Sequence, residues 1–249
     1  MYKIILGITY NGKYFYGWQQ QKNLLTLQKY IEIILSLIIG YNIKIFSSGR
    51  TDKNVNAIEQ IITFTIIKNL KLKFLLNSIN YYIRANIKIL WVQNICLSFN
   101  VRKDSIIRNY RYIIYNDKFD PLFLKKKIFC FHKHINYHNF KNIKNKMLGM
   151  NNYKSFSSTN CNNKNTIKHI LDIKIFNYNK FLIFEITANS FLYNMIRYLV
   201  GFFILKNFNI LTHKKIYKLI VPAYGLYFIK SYYSKKFFLK YNKKFMQLL

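Results

Sequence analysis

Phe46-Ser47-Ser48-Gly49-Arg50-Thr51-Asp52-Lys53-Asn54-Val55-Asn56-Ala57-Ile58-Glu59 separates two apolar runs, Tyr41 to Phe46 and Gln60 to Ile66, that read as strands. Its polar centre is therefore a loop pinned at both ends, and loops held on rigid flanks are where chemistry is usually carried. The chain has 8 Asp+Glu against 40 Lys+Arg, so an aspartate beside a glycine and an arginine asks for a reason. One reason is local: Gly49-Arg50-Thr51-Asp52 can make a turn, with glycine supplying unusual backbone angles and Thr or Asp bonding nearby N–H groups. The other is a carboxylate placed for chemistry.

At 249 residues with 51% hydrophobic and 18% aromatic residues, the chain can bury a substantial core and is not disordered. A formal net charge of +32 excludes an acidic-surface role and favours a nucleic-acid partner, because lysines and arginines neutralise backbone phosphates. Enrichment in Lys, Asn, Ile, Phe and Tyr is also what an AT-rich coding sequence produces, so the charge alone does not define a binding site. Arginine is the more selective signal. There are six, Arg50, Arg84, Arg102, Arg108, Arg111 and Arg197, and a planar guanidinium grips carboxylate or phosphate in a way that lysine does not.

Cys96, Cys130 and Cys161 are widely spaced, which points to neither a zinc site nor a disulfide framework and agrees with a reduced cytoplasmic setting. His132, His134 and His138 have no acidic or cysteine partner at ligand spacing, so no metal and no cofactor is expected. The Phe191 to Leu205 run is interrupted by Asn194 and Arg197, which argues against a membrane span.

The periodicities predict a strand over Tyr2 to Tyr10 and a helix from a Thr26 cap to Gly40. They then predict a helix over Phe74 to Tyr82 and strands over Ile87 to Ile95 and Ile106 to Asn116. A short helix over Asn142 to Met147 follows, then a hairpin of Ile167 to Ile175 and Phe181 to Ala188 about Tyr178-Asn179. Asn189 or Ser190 is expected to cap a helix through Val200, and a last helix is expected near His213 to Ile220. In the Ile106 to Asn116 strand, Tyr110, Tyr112 and Ile114 share one face.

Gly49-Arg50-Thr51-Asp52 followed by Val55, Ala57, Gln60 and Phe64 resembles the active-site loop of the tRNA pseudouridine synthase A family. The resemblance extends through Tyr10, Gly12, Tyr16, Gly17, Trp18 and Gln19, through Arg108-Asn109-Tyr110-Arg111-Tyr112, and through the aromatic pair Tyr153 and Phe156. It continues in Ala188 to Arg197 with Val200-Gly201, and in Pro222-Ala223-Tyr224-Gly225-Leu226, so it runs from Lys3 to about Tyr233. The chain departs from the family's Ala-Gly-Val-His after the aspartate, having Lys53-Asn54-Val55-Asn56. Asn54 tolerates a left-handed backbone, while Asn56 calls a supporting hydrogen bond into question.

The resemblance implies an α+β fold: two similar α/β halves, residues 1–116 and 117–249, with a largely antiparallel sheet and a basic cleft between them. It implies isomerisation of uridine to pseudouridine at positions 38 to 40 of the tRNA anticodon arm by a homodimer. Asp52 is then the catalytic carboxylate, and Arg197 stands opposite it and favours its charged form. Tyr110 stacks on the target uracil, and Arg50 contacts RNA and holds the target nucleotide out of the stack. Ordinary glycoside hydrolysis uses two carboxylates, and of Glu32, Asp52, Glu59, Asp104, Asp117, Asp120, Asp172 and Glu185 only Asp52 lies in such a motif. Two alternatives stay open: a non-catalytic tRNA-binding or folding protein, and a sister synthase with other target uridines.

Overall fold

The computed structural model describes residues 1–158, 165–208 and 219–239. In chain order these form β1 (Tyr2–Tyr10), α1 (Leu27–Ile39), β2 (Phe46–Ser47), β3 (Asn56–Ile66), α2 (Leu72–Tyr82), β4 (Ile87–Ile95) and β5 (Ser105–Tyr115). There follow β6 (Phe129–Cys130), α3 (Phe140–Met147), β7 (Gly149–Asn152), β8 (Ile167–Tyr178), β9 (Phe181–Ala188), α4 (Met195–Asn207) and β10 (Leu226–Tyr233). The chain divides into two compact units, Met1–Ile106 with Phe228–Leu249, and Ile107–Tyr227.

The first unit carries strands in the order β4-β1-β3-β10, with β1 antiparallel to both β3 and β4 and β2 paired to β3. Helix α1 forms where the sequence says it should: the Thr26 hydroxyl accepts from the Lys29 N–H, and Gly40 ends the helix with φ 88°. It buries Leu27, Ile31 and Leu35, and α2 buries Leu75 and Ile79. Ile5, Ile61, Trp91, Phe99, Val101 and Tyr233 form a further apolar cluster. Tyr233 closes that cluster by donating its hydroxyl to the Val101 carbonyl at 2.7 Å.

The expected strand over Tyr41 to Phe46 reduces to Phe46–Ser47. The reason is competition for backbone donors. Ile43 N–H bonds the Ser36 hydroxyl at 2.9 Å and Ile45 N–H bonds the Glu32 carboxylate at 3.0 Å, so side chains of α1 take the groups that a ladder would need.

The second unit carries β5-β9-β8-β7, antiparallel throughout, with β6 parallel to β5. Its hairpin turns at Asn179, φ 53°, as the sequence indicates. Phe140, Phe184 and Phe203 bring α3, β9 and α4 together through ring contacts of 5.2 to 5.8 Å. Gly201 allows α4 to close on the backbone, since a Cβ there would stand 2.0 Å from the Leu219 carbonyl oxygen.

Helix α4 starts later than the sequence suggests. Asn189 is not its cap: it extends the β8 and β9 pairing, its N–H bonding the His169 carbonyl and its side-chain oxygen accepting the His169 N–H. The chain then turns through Asn194, φ 61°, and the helix begins at Met195. The expected helix near His213 lies, through Lys218, outside the described residues, as does Cys161.

A buried ion pair crosses the first unit. Lys230 Nζ lies 3.8 Å from Glu59, and the side chains are 5% and 4% exposed. The Trp91 indole N–H donates to the same carboxylate. Gly7 makes room for the indole, because a Cβ there would be 2.3 Å from Trp91 Nε1. Burial lowers the Lys230 pKa from the ordinary lysine value, and the Glu59 carboxylate opposes that effect. Removing one member of such a pair leaves a charge in a dry place. Lys230→Met should therefore lower stability by about 3–5 kcal/mol in urea unfolding. The double variant Lys230→Met with Glu59→Gln should recover most of that loss.

Candidate active site

The Gly49 to Val55 loop is fixed from both sides by residues of the first unit. On its incoming limb, Ser48 N–H bonds the Ile61 carbonyl, and the Gln60 amide donates to the Gly49 carbonyl at 2.6 Å. Ser47 Oγ donates to that same carbonyl, and Ser48 Oγ donates to Gln60 Oε1. On its outgoing limb, Val55 N–H returns to the Asp52 carbonyl at 3.1 Å. This closes a turn whose third residue, Asn54, has φ 67°, the region that asparagine enters more readily than most side chains.

The second clasp comes from the aromatic segment Gly12 to Trp18. Trp18 N–H bonds the Thr51 carbonyl at 2.9 Å, and the Tyr10 and Thr51 hydroxyls share a 2.8 Å bond. Gly17, φ 81°, lies directly on the loop: a Cβ would stand 3.1 Å from the Thr51 oxygen, 3.2 Å from Lys53 N and 3.3 Å from the Asp52 carbonyl carbon. At Gly12 a Cβ would be 2.1 Å from the Val55 oxygen. Both glycines are required by close approach of backbone to backbone.

Besides Asn54, the other two departures from the resembled pattern have structural roles. Asn56 is buried, and its side-chain oxygen accepts the Gly12 N–H at 3.0 Å, so it supplies a bond between β3 and the clasp. Lys53 places its ammonium 4.0 Å from the Tyr16 ring centroid, which directs that charge onto the clasp segment. Asp52 is partly buried and Arg50 is exposed. The sequence singled out Asn56 and Lys53 as departures but could not supply their partners, Gly12 and Tyr16, which stand far back along the chain.

Tyr110 and Arg197 belong to the second unit. Tyr110 sits on β5 opposite Ile186 of β9, is 8% exposed, and meets the Phe191 ring edge-on at 5.1 Å. Phe191 is itself part of the Ala188 to Arg197 segment, so two of the sequence motifs meet here. The neighbouring Tyr112 is fully buried and donates its hydroxyl to the Pro222 carbonyl at 2.7 Å. Burial raises its pKa well above the ordinary phenol value, the Arg197 charge opposing that and Tyr224 adding to it. Gly225 admits the Tyr112 ring, since a Cβ would lie 2.8 Å from Cζ.

Arg197 is in the first turn of α4. Its Nε donates to the Val221 carbonyl at 2.7 Å and one terminal nitrogen donates to the Asn194 side-chain oxygen at 2.9 Å. The guanidinium plane is thereby oriented by the αL residue that starts the helix and by the segment before Pro222. Lysine would have to reach both partners from a single nitrogen, without the planar fork that presents two nitrogens at fixed spacing.

Most carboxylates of this chain hold the fold together. Glu185 takes Arg111 at 2.8 and 3.2 Å and also accepts from Asn109. Asp117 pairs with Lys180, a bond that lowers the carboxyl's pKa from its usual value. Asp104 accepts the Asn100 N–H, Asp120 lies 3.5 Å from His132, and Asp172 lies 3.9 Å from Lys144 and Lys174. Glu32 and Glu59 are engaged as described above. Among the described residues no group of three or more His, Cys, Asp or Glu is placed to hold a metal ion, and no helix is long and apolar enough to cross a membrane.

A family model described as tRNA pseudouridine synthase matches residues 143–234. The tRNA pseudouridine synthase A of Buchnera aphidicola subsp. Schizaphis graminum is 36% identical over 207 residues, spanning 83% of this chain and 79% of that protein. The protein of the same name from Wigglesworthia glossinidia brevipalpis is 35% identical over 81% of this chain and 76% of its own length. That from Legionella pneumophila (strain Corby) is 28% identical over 96% of both chains.

The Asn56 bond can be tested by removal and by retention of the acceptor. Asn56→Leu leaves the Gly12 N–H without it, at a cost of about 1–3 kcal/mol, which should appear as a lower urea midpoint. Asn56→Asp keeps an oxygen at the same place and should unfold nearest the parent midpoint at acid pH, where the buried carboxyl is neutral.

Proposed function

The chain belongs to the tRNA pseudouridine synthase A family, and we propose that it isomerises uridine to pseudouridine in the anticodon arm of tRNA, at positions 38 to 40, with Asp52 as its catalytic carboxylate. The observation that carries this reading is the double clasp on the Asp52 loop. Gly17 packs on the Asp52 peptide from one side while Gln60 holds the Gly49 carbonyl from the other, so the carboxylate is presented from backbone of fixed geometry. Positional accuracy of this kind is what a reacting group needs.

The reaction breaks the bond from uracil N1 to ribose C1′, turns the freed base and joins C5 to C1′; C5 gives up its hydrogen as a proton and N1 takes up a proton, so the net change is an isomerisation. It consumes no electrons and no energy-rich co-substrate. A carboxylate beside C1′ serves either as the nucleophile that holds the sugar while the base turns or as a base toward the ribose. In this reading Arg197, oriented by Asn194 and Val221, favours the charged form of Asp52. Tyr110 offers its ring to the uracil, with Phe191 against it. Arg50, exposed at the tip of the loop, takes the RNA backbone and helps keep the target nucleotide out of the stack. The high positive charge supplies attraction to tRNA at long range. We further propose that the active species is a cytoplasmic homodimer.

Release of tritium from tRNA labelled at uridine C5 tests the reaction directly, because C5 must lose its hydrogen to form the new bond. The parent should release tritium, while Asp52→Ala should release none and bind tRNA within about tenfold of the parent. Arg197→Lys should fold, bind and turn over severely more slowly, because the fork between Asn194 and Val221 is lost. Normal turnover by Asp52→Ala would refute the assignment. Binding without release by the parent would favour a tRNA-binding protein that retains the fold.

A further inference from the structure

A cleft of about 630 Å³ opens on the first unit beside the Asp52 loop, lined among others by Gln19, Phe46, Ser47, Arg50, Arg102 and Lys103. It is built wholly from residues of that unit. Its composition is unlike that of a packing defect. Phe46 stands on the two-residue strand β2 with 63% of its surface exposed, while the other apolar residues of the lining, Trp18, Ile45, Phe64, Phe99 and Val101, are buried. Two of the chain's six arginines face the same space, together with Lys103.

The cationic wall is preformed. The Asn100 side-chain oxygen accepts both the Arg102 and Lys103 N–H groups, at 3.1 and 3.0 Å, and the Asp104 carboxylate accepts the Asn100 N–H at 2.8 Å. The Asp104 N–H closes the turn on the Asn100 carbonyl. The same turn is tied to β1, since the Lys3 ammonium donates to the Leu97 and Phe99 carbonyls at 2.8 and 2.7 Å. The nearby carboxylate is therefore engaged with backbone, and the loop presents cationic side chains from a fixed frame.

An exposed aromatic ring beside clustered cations, with amide and hydroxyl groups from Gln19 and Ser47, is the chemistry that receives a single-stranded nucleotide: the ring stacks a base and the cations take phosphates. We propose that this cleft is a subsite for an unpaired nucleotide flanking the target, with its base on Phe46 and its phosphates on Arg102 and Lys103. The inference rests on the reading of the chain as an enzyme acting on tRNA, and it adds a contact outside the reacting centre. Arg50 lines both the cleft and the catalytic loop, so a nucleotide held here is continuous with one presented to Asp52.

Binding of a short oligoadenylate to the full chain separates this site from the chemistry, because that RNA has no uridine to isomerise. Phe46→Ala should weaken its binding about tenfold, as expected when one base is no longer stacked. Arg102→Gln with Lys103→Gln should flatten the slope of log affinity against log salt by about 1.4, that is about 0.7 for each single-strand phosphate that is no longer neutralised. Lys73→Gln, which removes an exposed charge from α2, should change neither. With tRNA, Phe46→Ala should raise KM and leave kcat in place. Unchanged oligoadenylate affinity in Phe46→Ala, or a response of the double variant no larger than that of Lys73→Gln, would overturn the proposal. Failure of the parent to release tritium would overturn the enzymatic reading instead, and the oligoadenylate results would still decide whether the cleft holds a nucleotide.

Discussion

Two peptide backbones lie in direct contact beside Asp52, and the geometry of the Gly49 to Val55 loop depends on that contact. Gly17 and Gly12 are the residues that allow it, because any Cβ would meet carbonyl or amide atoms of residues 51–55. The contact is closed by bonds that do not involve mobile side-chain ends: Trp18 N–H to the Thr51 carbonyl, and Val55 N–H to the Asp52 carbonyl. Backbone partners lose little conformational entropy when they bind, since their φ and ψ are already fixed by neighbouring strands. Asn56 and the Tyr10–Thr51 pair then lock the edges. The loop thus behaves as a continuation of β1 and β3 and not as a free excursion between them.

Charge is distributed with the same logic. In a chain so poor in carboxylates, Glu59 and Glu185 are each surrounded by donors inside the sheets, the first with Trp91 and Lys230 and the second with Arg111 and Asn109. The buried pair of Glu59 and Lys230 is stable only because its partners are well placed, while Glu185 and Arg111 are partly exposed and depend less on that placement. The excess of positive charge has no such carboxylate partners within the chain. Arg50, Arg102 and Lys103 line one cleft together with Phe46.

Local signals in the sequence translated directly into structure where the deciding interactions were local. Thr26 and Gly40 bound α1 because a hydroxyl three residues before an N–H, and a residue free to take positive φ, are sufficient for the two ends of a helix. Asn179 turned its hairpin and Asn54 took the left-handed position for similar reasons. Where a distant group competed, the local reading failed. The run from Tyr41 to Ile45 has the composition of a strand, yet Glu32 and Ser36 hold its N–H groups. Asn189 has the chemistry of a helix cap, yet His169 across the sheet engages it and the helix starts only after Asn194.

The α+β class, the main helix and hairpin, and the motif segments were all legible in the order of the residues, because each is written in periodicity or in groups a few positions apart. Asp52 was also marked there as a carboxylate set apart, through its scarcity and its loop. The pairings across long separations came from the folded chain: Gly17 on the Asp52 peptide, Asn56 on Gly12, Lys230 on Glu59, and Arg197 on Val221. Those pairings follow from strand order and register, which the whole core selects at once. A hydrogen bond between residues dozens of positions apart has no local trace that a sequence could carry.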